Sequence, residues 1–301
     1  MQERSIQAGG IYVIKKVNRA GMITTGVAKG YRWVQALSLD VALGSGLLSL
    51  AIARYYQVAL PGLAVLALML AVWVIYTFDH LSDARKLKTA AATYRHRFHQ
   101  QHYRLLCRLL LLAVALGLGL ASQLPESVLR WGLVCTALVG VYFWLLQVYA
   151  FRYKELLVSA CYTLGVFLAP LSLVSHPLTP IQLLLIPQIF LLALSNLLIF
   201  SYFEYQTDRQ DGHFSLALHF GGLPIKRLTL ALVSIGLLLC GLLYAAASLL
   251  ISREVQLLLF SMNLLLLLLL LKEALFRKHE RYRIIGDGIF FIPALLLLYA
   301  W

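Results

Sequence analysis

The chain has 301 residues, 61% of them hydrophobic and only 13% charged, with a mean hydropathy of +0.80 and a formal net charge of +13. A soluble domain carries about 25% charged residues, so the composition excludes an ordinary water-soluble globule. Apolar runs of about 20 residues recur along it, the length that crosses a bilayer as a helix, and the expected class is an all-α, multi-pass integral membrane protein.

Residues 1–32 carry Lys15, Lys16, Arg19, Lys29 and Arg32 and contain no compact apolar core leading to a cleavage site. They are expected to form a basic cytoplasmic segment, 1–33, rather than a signal peptide. The spacing then predicts nine membrane spans over 34–301, at 34–54, 59–79, 105–123, 127–148, 156–175, 181–203, 228–249, 255–275 and 284–301. Pro61, Pro125, Pro177, Pro180 and Pro224 fall at or near the breaks, where helices start and stop. The pure leucine run over 264–271 is expected to face lipid. Cys107, Cys135, Cys161 and Cys240 stand singly in apolar segments without metal-ligand spacing and read as small packing residues.

Lys and Arg set the orientation. With the N-terminus in the cytoplasm, the connections 80–104, 149–155, 204–227 and 272–283 share that side. All 26 basic residues then fall on the cytoplasmic side except Arg54, Arg130 and Arg253. The expected location is a bacterial inner membrane, and the positive charge is accounted for by topology and anionic lipid; no nucleic-acid partner is expected.

Only 13 residues are acidic, and four of them form two i, i+4 pairs at the ends of apolar segments: Asp79 with Asp83, and Glu204 with Asp208. On a helix that spacing puts both carboxylates on one face. The pairs end the second and sixth spans, so both emerge on the same face and are able to meet at one site. Hard cations such as Mg2+ prefer carboxylates and commonly bridge to a substrate phosphate. Arg85, Lys86, Lys88, Arg95, Arg97, Lys154 and Arg209 lie on the same face and suit a pyrophosphate. The plain alternative is a set of juxtamembrane charges forming surface ion pairs. His80, His96, His99 and His102 read as residues of a solvated loop rather than as a metal site. Asp40 in the first span and Asn196 in the sixth are intramembrane polar residues, suited either to an acceptor or to an interhelical hydrogen bond. Asp287 is expected to be solvated near the interface.

These motifs resemble those of the UbiA-type intramembrane prenyltransferases. The first reads Ile75-x-x-x-Asp79-x-x-x-Asp83 against the family's N-x-x-x-D-x-x-x-D. The second reads Glu204-x-x-x-Asp208-x-x-x-Gly212-x-x-Ser215-Leu216-x-x-x-x-Gly221 against D-x-x-x-D with a glycine and a T-L-x-x-x-x-G tail. Between them, Tyr149-Ala-Phe-Arg152-Tyr153-Lys154-Glu155 looks like the family's tyrosine and lysine at the start of helix five. The departures are Ile75 in place of the motif asparagine, Glu204 in place of an aspartate, and a basic element, Tyr94-Arg95-His96-Arg97, a few residues later than the family's usual Arg-Pro. The resemblance implies a nine-helix bundle with a central cavity opening near the cytoplasmic side. It implies a Mg2+-dependent transfer of an isoprenyl group from a prenyl diphosphate to an aromatic or other lipophilic acceptor. Asp79, Asp83, Glu204 and Asp208 would hold the metal, and Arg85, Arg97, Lys154 and Arg209 the diphosphate. Asp40, Tyr76, Tyr149, Tyr153 and Asn196 would line the prenyl and acceptor site, with Phe78, Tyr202, Phe203 and Tyr205 at the same level. A degenerate, isoprenoid-binding member without chemistry and a small-solute transporter remain as alternatives.

Overall fold

A computed structural model describes residues 30–86, 94–149, 153–211, 215–246 and 252–298. Every regular element among them is helical. In chain order these are α1 (Gly30–Ala36), α2 (Leu39–Tyr55), α3 (Gly62–Lys86), α4 (Tyr94–Gln101), α5 (Tyr103–Ala121), α6 (Glu126–Tyr149), α7 (Lys154–Ser172), α8 (Pro180–Leu183), α9 (Leu185–Phe203), α10 (Tyr205–Asp211), α11 (Leu216–Phe220), α12 (Gly222–Ala245), α13 (Arg253–Leu271), α14 (Glu273–Arg277), α15 (Arg281–Gly288) and α16 (Ala294–Leu298). Of the expected N-terminal segment, residues up to 29 lie outside the described set.

Seven helices are long and apolar enough to cross a membrane, or eight if the α1–α2 pair, bent by 75°, counts as one span. The expected count of nine is therefore not met among the described residues. The difference lies at the C-terminus, where 284–301 was expected to be continuous. There α15, a 3-10 turn over Ile289–Phe291 and α16 form a chain of short pieces. Gly286, Gly288 and Pro293 interrupt the run, and Arg283 and Asp287 make its head polar.

The local chemistry places the helix ends. Pro180 sits at the first position of α8 behind a capping box made by Thr179 and Gln182. Ser252 caps α13 by accepting the Val255 N–H. α9 is the most buried of the long helices, while α5 and α6 are the least. α9 packs against α7 and α12, α12 packs against α13, and α2 packs against α3 and α7. The core runs along these helices through Leu48, Ile52 and Tyr56, through Val166, through Ile189, Leu192 and Ile199 on α9, and through Met262. Outward leucines such as Leu111, Leu118 and Leu133 form an apolar belt, which fits lipid surroundings.

The leucine run corrects its expectation in part. Leu266, Leu269 and Leu270 belong to the core, whereas Leu264, Leu268 and Leu271 are exposed. A helix of one residue type still has two faces, and its neighbours decide which one is buried.

Candidate functional site

α3 continues about two turns beyond the expected end of the second span, so Asp79 and Asp83 project from one helix face. Lys154 opens α7 and reaches across to them. Its Nζ donates to Asp79 Oδ1 at 3.1 Å and Oδ2 at 2.9 Å, and to Asp83 Oδ2 at 3.5 Å. The three side chains are 29%, 19% and 15% exposed, so the group is sheltered but reachable.

The second pair spans a helix break. Glu204 is the C-cap of α9, and the Asp208 N–H donates to the Glu204 carbonyl at 2.8 Å, which keeps helical spacing through the break. Glu204 Oε2 pairs with Arg283, and Glu204 Oε1 accepts from the Tyr282 hydroxyl at 3.1 Å. Both partners are fixed on α15 by rings at the end of α9. Tyr282 stacks on Phe203 at 4.5 Å, and the Arg283 guanidinium lies 5.3 Å over Phe200. Arg277 donates to the Phe203 carbonyl, an α9 C-terminal acceptor, at 3.0 Å. Burial is the largest single influence and works against the Arg283 charge, but Glu204, Tyr282, Asp287 and Glu280 together outweigh it and raise the guanidinium above its ordinary range.

Glu155 ties the two halves together. This buried acid follows Lys154 and accepts the Leu216 N–H at the start of α11 at 2.8 Å, while Ala217 N–H donates to Ser201 Oγ at 3.0 Å. Asp208 feels Glu204, Arg283 and Glu155, and its carboxyl is pushed up to about 7, first by burial and then by Glu204. The two acidic pairs therefore meet at one end of the bundle.

Among the described residues, Lys154, Arg283 and Arg95 are the basic side chains nearest the carboxylates by contact or electrostatic reach. Arg95 on α4 lies within electrostatic reach of Arg283, Glu204, Asp287 and Asp40, and its buried Nε has no hydrogen-bond partner among the described residues. Arg85, Arg97 and Arg209, the other expected diphosphate ligands, are exposed. Tyr76 is half-buried on α3, three residues before Asp79, and Tyr153 is exposed just before α7. Tyr149 ends α6; its side chain and that of Lys86, together with Lys88, Arg152 and Gly212, lie outside the described set.

Asp40 and Asn196 are buried. Asp40 Oδ1 accepts the Val41 N–H at 2.9 Å, while Asp40 Oδ2 and Asn196 Oδ1 lack partners among the described residues. An ideal Cβ on Gly286 would come within 2.6 Å of Asn196 Oδ1, so α15 packs closely over this part of α9. Asp287, expected to be solvated, is buried at 8% exposure because α15 lies against α2 and α9. The histidines are also corrected: His80, His96 and His99 are buried, with the His80 ring 5.9 Å from His96 and 5.0 Å from His99.

Sequence reasoning did not single out Arg283 or Glu155, and placed Arg95 among the general basic partners and in the basic element after the first motif, without a role of its own. The one local signal available for Arg283, unused in the sequence reading, is its i, i+4 relation to Asp287 at the head of an apolar segment.

The Mg2+ implied by the motifs requires open carboxylate oxygens. Both Asp79 oxygens accept from one ammonium, and both Glu204 oxygens are engaged by α15. Ile75 offers no donor atom where the motif has an amide. Among the described residues, no group of three or more His, Cys, Asp or Glu is arranged to hold a metal ion. The donor set in this arrangement does not fit the ion.

No protein-family model and no curated protein matches the chain. Solved structures do. A UbiA homolog from Aeropyrum pernix K1, in its apo form, aligns at a TM-score of 0.62 with 13% identity, over 87% of this chain and 98% of that one. A UbiA homolog from Archaeoglobus fulgidus bound to GPP and Mg2+ aligns at 0.57 with 17% identity, over 90% and 95%. The same homolog bound to DMAPP and Mg2+ aligns at 0.55 with 15% identity, over 90% and 98%. Identities this low carry the architecture alone: the chain has the fold of the UbiA-type prenyltransferases.

Proposed function

We propose that this is an integral-membrane prenyltransferase. It moves an isoprenyl group from a prenyl diphosphate to a lipophilic acceptor, in a bacterial inner membrane, with its N-terminus in the cytoplasm. The observation that carries the reading is the meeting of Asp79, Asp83, Glu204 and Asp208 with Lys154, Arg95 and Arg283 at one end of an apolar bundle. The DMAPP and GPP bound by the neighbours of the same fold support a prenyl diphosphate as the donor.

The chemistry follows from the charges. As the allylic C–O bond breaks, its electron pair leaves with the diphosphate, and the nearby cations stabilise the negative charge that grows on the oxygen. The allylic cation left behind needs electron-rich walls that do not trap it, a role suited to aromatic faces such as Tyr76. The acceptor forms the new bond to that carbon and loses a proton. Buried polar atoms without partners are uncommon in a settled interior. Asp40 Oδ2, Asn196 Oδ1 and the Tyr162 hydroxyl are three such atoms, and they suit the polar head of an acceptor or water beside it. The prenyl tail lies along apolar helix faces, which accounts for a catalyst embedded in lipid.

A second reading, an isoprenoid-binding protein without turnover, is favoured by Ile75 and by the occupied carboxylates. The test is to incubate the purified chain with dimethylallyl, geranyl and farnesyl diphosphates and a panel of aromatic and lipid acceptors, and to measure released diphosphate. Acceptor-dependent release is expected, and Asp208→Asn should abolish it while leaving membrane insertion intact. Binding without release selects the second reading. Failure to bind any prenyl diphosphate overturns both.

A further inference from the structure

We infer that Lys154 and Arg283 fill the cation positions of the two acidic pairs, so that the site takes a prenyl diphosphate without a divalent metal; the second half of this rests on the reading above. One ammonium bridges the first pair, with three contacts of 2.9–3.5 Å to Asp79 and Asp83. That is the place a chelated ion would take between carboxylates at i and i+4. A Mg2+ ligated at about 2.1 Å by the same oxygens would stand beside the ammonium, and the two like charges would repel at close range.

The second pair also receives a cation from another element, here on one of its two acids, with Asp208 within its electrostatic reach. Arg283 comes from α15, pairs with Glu204, and is only 9% exposed. Its seat is built: the guanidinium rests over Phe200, and the adjacent Tyr282 supplies a hydrogen bond to the other Glu204 oxygen. Planar guanidinium suits a sheltered ion pair better than a strongly hydrated ammonium does, which fits Arg at the deeper position and Lys at the more open one. Two acidic pairs, from distant parts of the sequence, thus each receive a basic side chain from a third element. An accidental surface ion pair would not recur in this way, because such pairs are individually weak.

The chain also keeps a donor for the anion. Arg95 Nε is buried and unpartnered among the described residues, and it lies within the field of both Arg283 and Glu204. A guanidinium has five N–H donors, so Arg95 and Arg283 are able to contact phosphate oxygens in the fork geometry that such groups favour.

The test uses the full chain in detergent or nanodiscs. Free Mn2+ is followed by electron paramagnetic resonance with no prenyl diphosphate present. The wild-type chain is expected to take up no stoichiometric Mn2+, and Lys154→Met, which removes the ammonium from Asp79 and Asp83, to bind it at least about tenfold more tightly. Uptake of one Mn2+ per wild-type chain overturns the assignment. Should Lys154→Met fail to fold, the thermal midpoint of the wild-type chain decides. An unchanged midpoint between EDTA and excess Mg2+ is expected, whereas a rise with Mg2+ reports binding to the native state and counts against the proposal. Geranyl diphosphate binding, measured by calorimetry, should agree within about threefold between EDTA and Mg2+ buffers, and a loss of about tenfold or more in EDTA overturns metal-free binding. Absence of binding in both buffers counts against the prenyl-diphosphate reading, and the Mn2+ titration then decides the cation assignment alone.

Discussion

Asp208 stands one helical turn beyond Glu204, and its carboxyl titrates at about 7 instead of an ordinary 3.8, because burial and then the Glu204 charge oppose ionisation. A carboxyl raised by folding favours the native state at low pH. Its contribution is complete below 3.8, declines as the unfolded chain ionises, and is gone once pH passes about 7. Asp208→Asn should therefore flatten the fall in thermal midpoint between pH 5 and pH 8, and raise stability at pH 8 by on the order of 2 kcal/mol. An unchanged slope would remove Asp208 from the buried cluster. His99 acts with the opposite sign. Burial holds its imidazole down at about 4 from an ordinary 6.5, with Nδ1 2.9 Å from the Arg95 carbonyl oxygen. Its contribution is present above 6.5 and is lost as pH falls through 4, so His99→Gln should lessen the loss of stability between pH 6.5 and pH 4 in melting curves. The acids of the site were legible because i, i+4 spacing at the end of an apolar run is a local pattern. Their cations were not, because Arg283 lies far along the chain from Glu204 and only tertiary packing brings the two together. Spacing also treats Arg85, Arg95 and Arg97 alike, whereas the helix turns Arg85 and Arg97 outward and brings the Arg95 Nε into the interior.

At the scale of elements, the short C-terminal pieces are held to the bundle by close approach at glycines. An ideal Cβ on Gly44 of α2 would lie 2.7 Å from Phe290 Cβ, an atom tied to the backbone and unable to swing away. Gly44→Ala should cost about 1–3 kcal/mol by overpacking. Gly140 on α6 has nothing within 4 Å of its would-be Cβ, so Gly140→Ala should be neutral or mildly stabilising. Thermal melting of both variants in the same detergent checks the contrast, and equal midpoints would mean that the C-terminal segment does not pack on α2 as described. Element positions were readable from hydropathy over most of the chain, since a bilayer demands long apolar helices. Two features escaped that reading for one physical reason. Hydropathy averages around a helix, so it did not distinguish the buried side of the leucine run from the lipid side. It also did not report that the apolar C-terminal segment is broken into short helices around its glycines and Pro293.

For the molecule as a whole, charge segregation and packing define two ends. Asp79, Asp83, Lys154, Glu204 and Arg283 gather at one end. Arg54 closes α2 and Arg253 opens α13, and Glu254 feels both, which groups them at a second place in the bundle. Arg130 pairs with Glu126 in the first turn of α6, in an exposed i, i+4 contact that adds little stability. Basic residues are retained on the cytoplasmic side of bacterial inner-membrane proteins. The end crowded with Lys and Arg should therefore face the cytoplasm, where soluble diphosphates are available, and the sparsely charged end should face outward. Single cysteines at two exposed positions read this directly: Arg97→Cys beside the site and Arg130→Cys on α6. A membrane-impermeant maleimide should label Arg130→Cys in intact spheroplasts and Arg97→Cys only in inverted vesicles, above the background of the four native thiols, none of which is exposed. The reverse pattern would turn the site outward, remove it from the cytoplasmic diphosphate pool, and sink the prenyl-transfer reading together with the orientation.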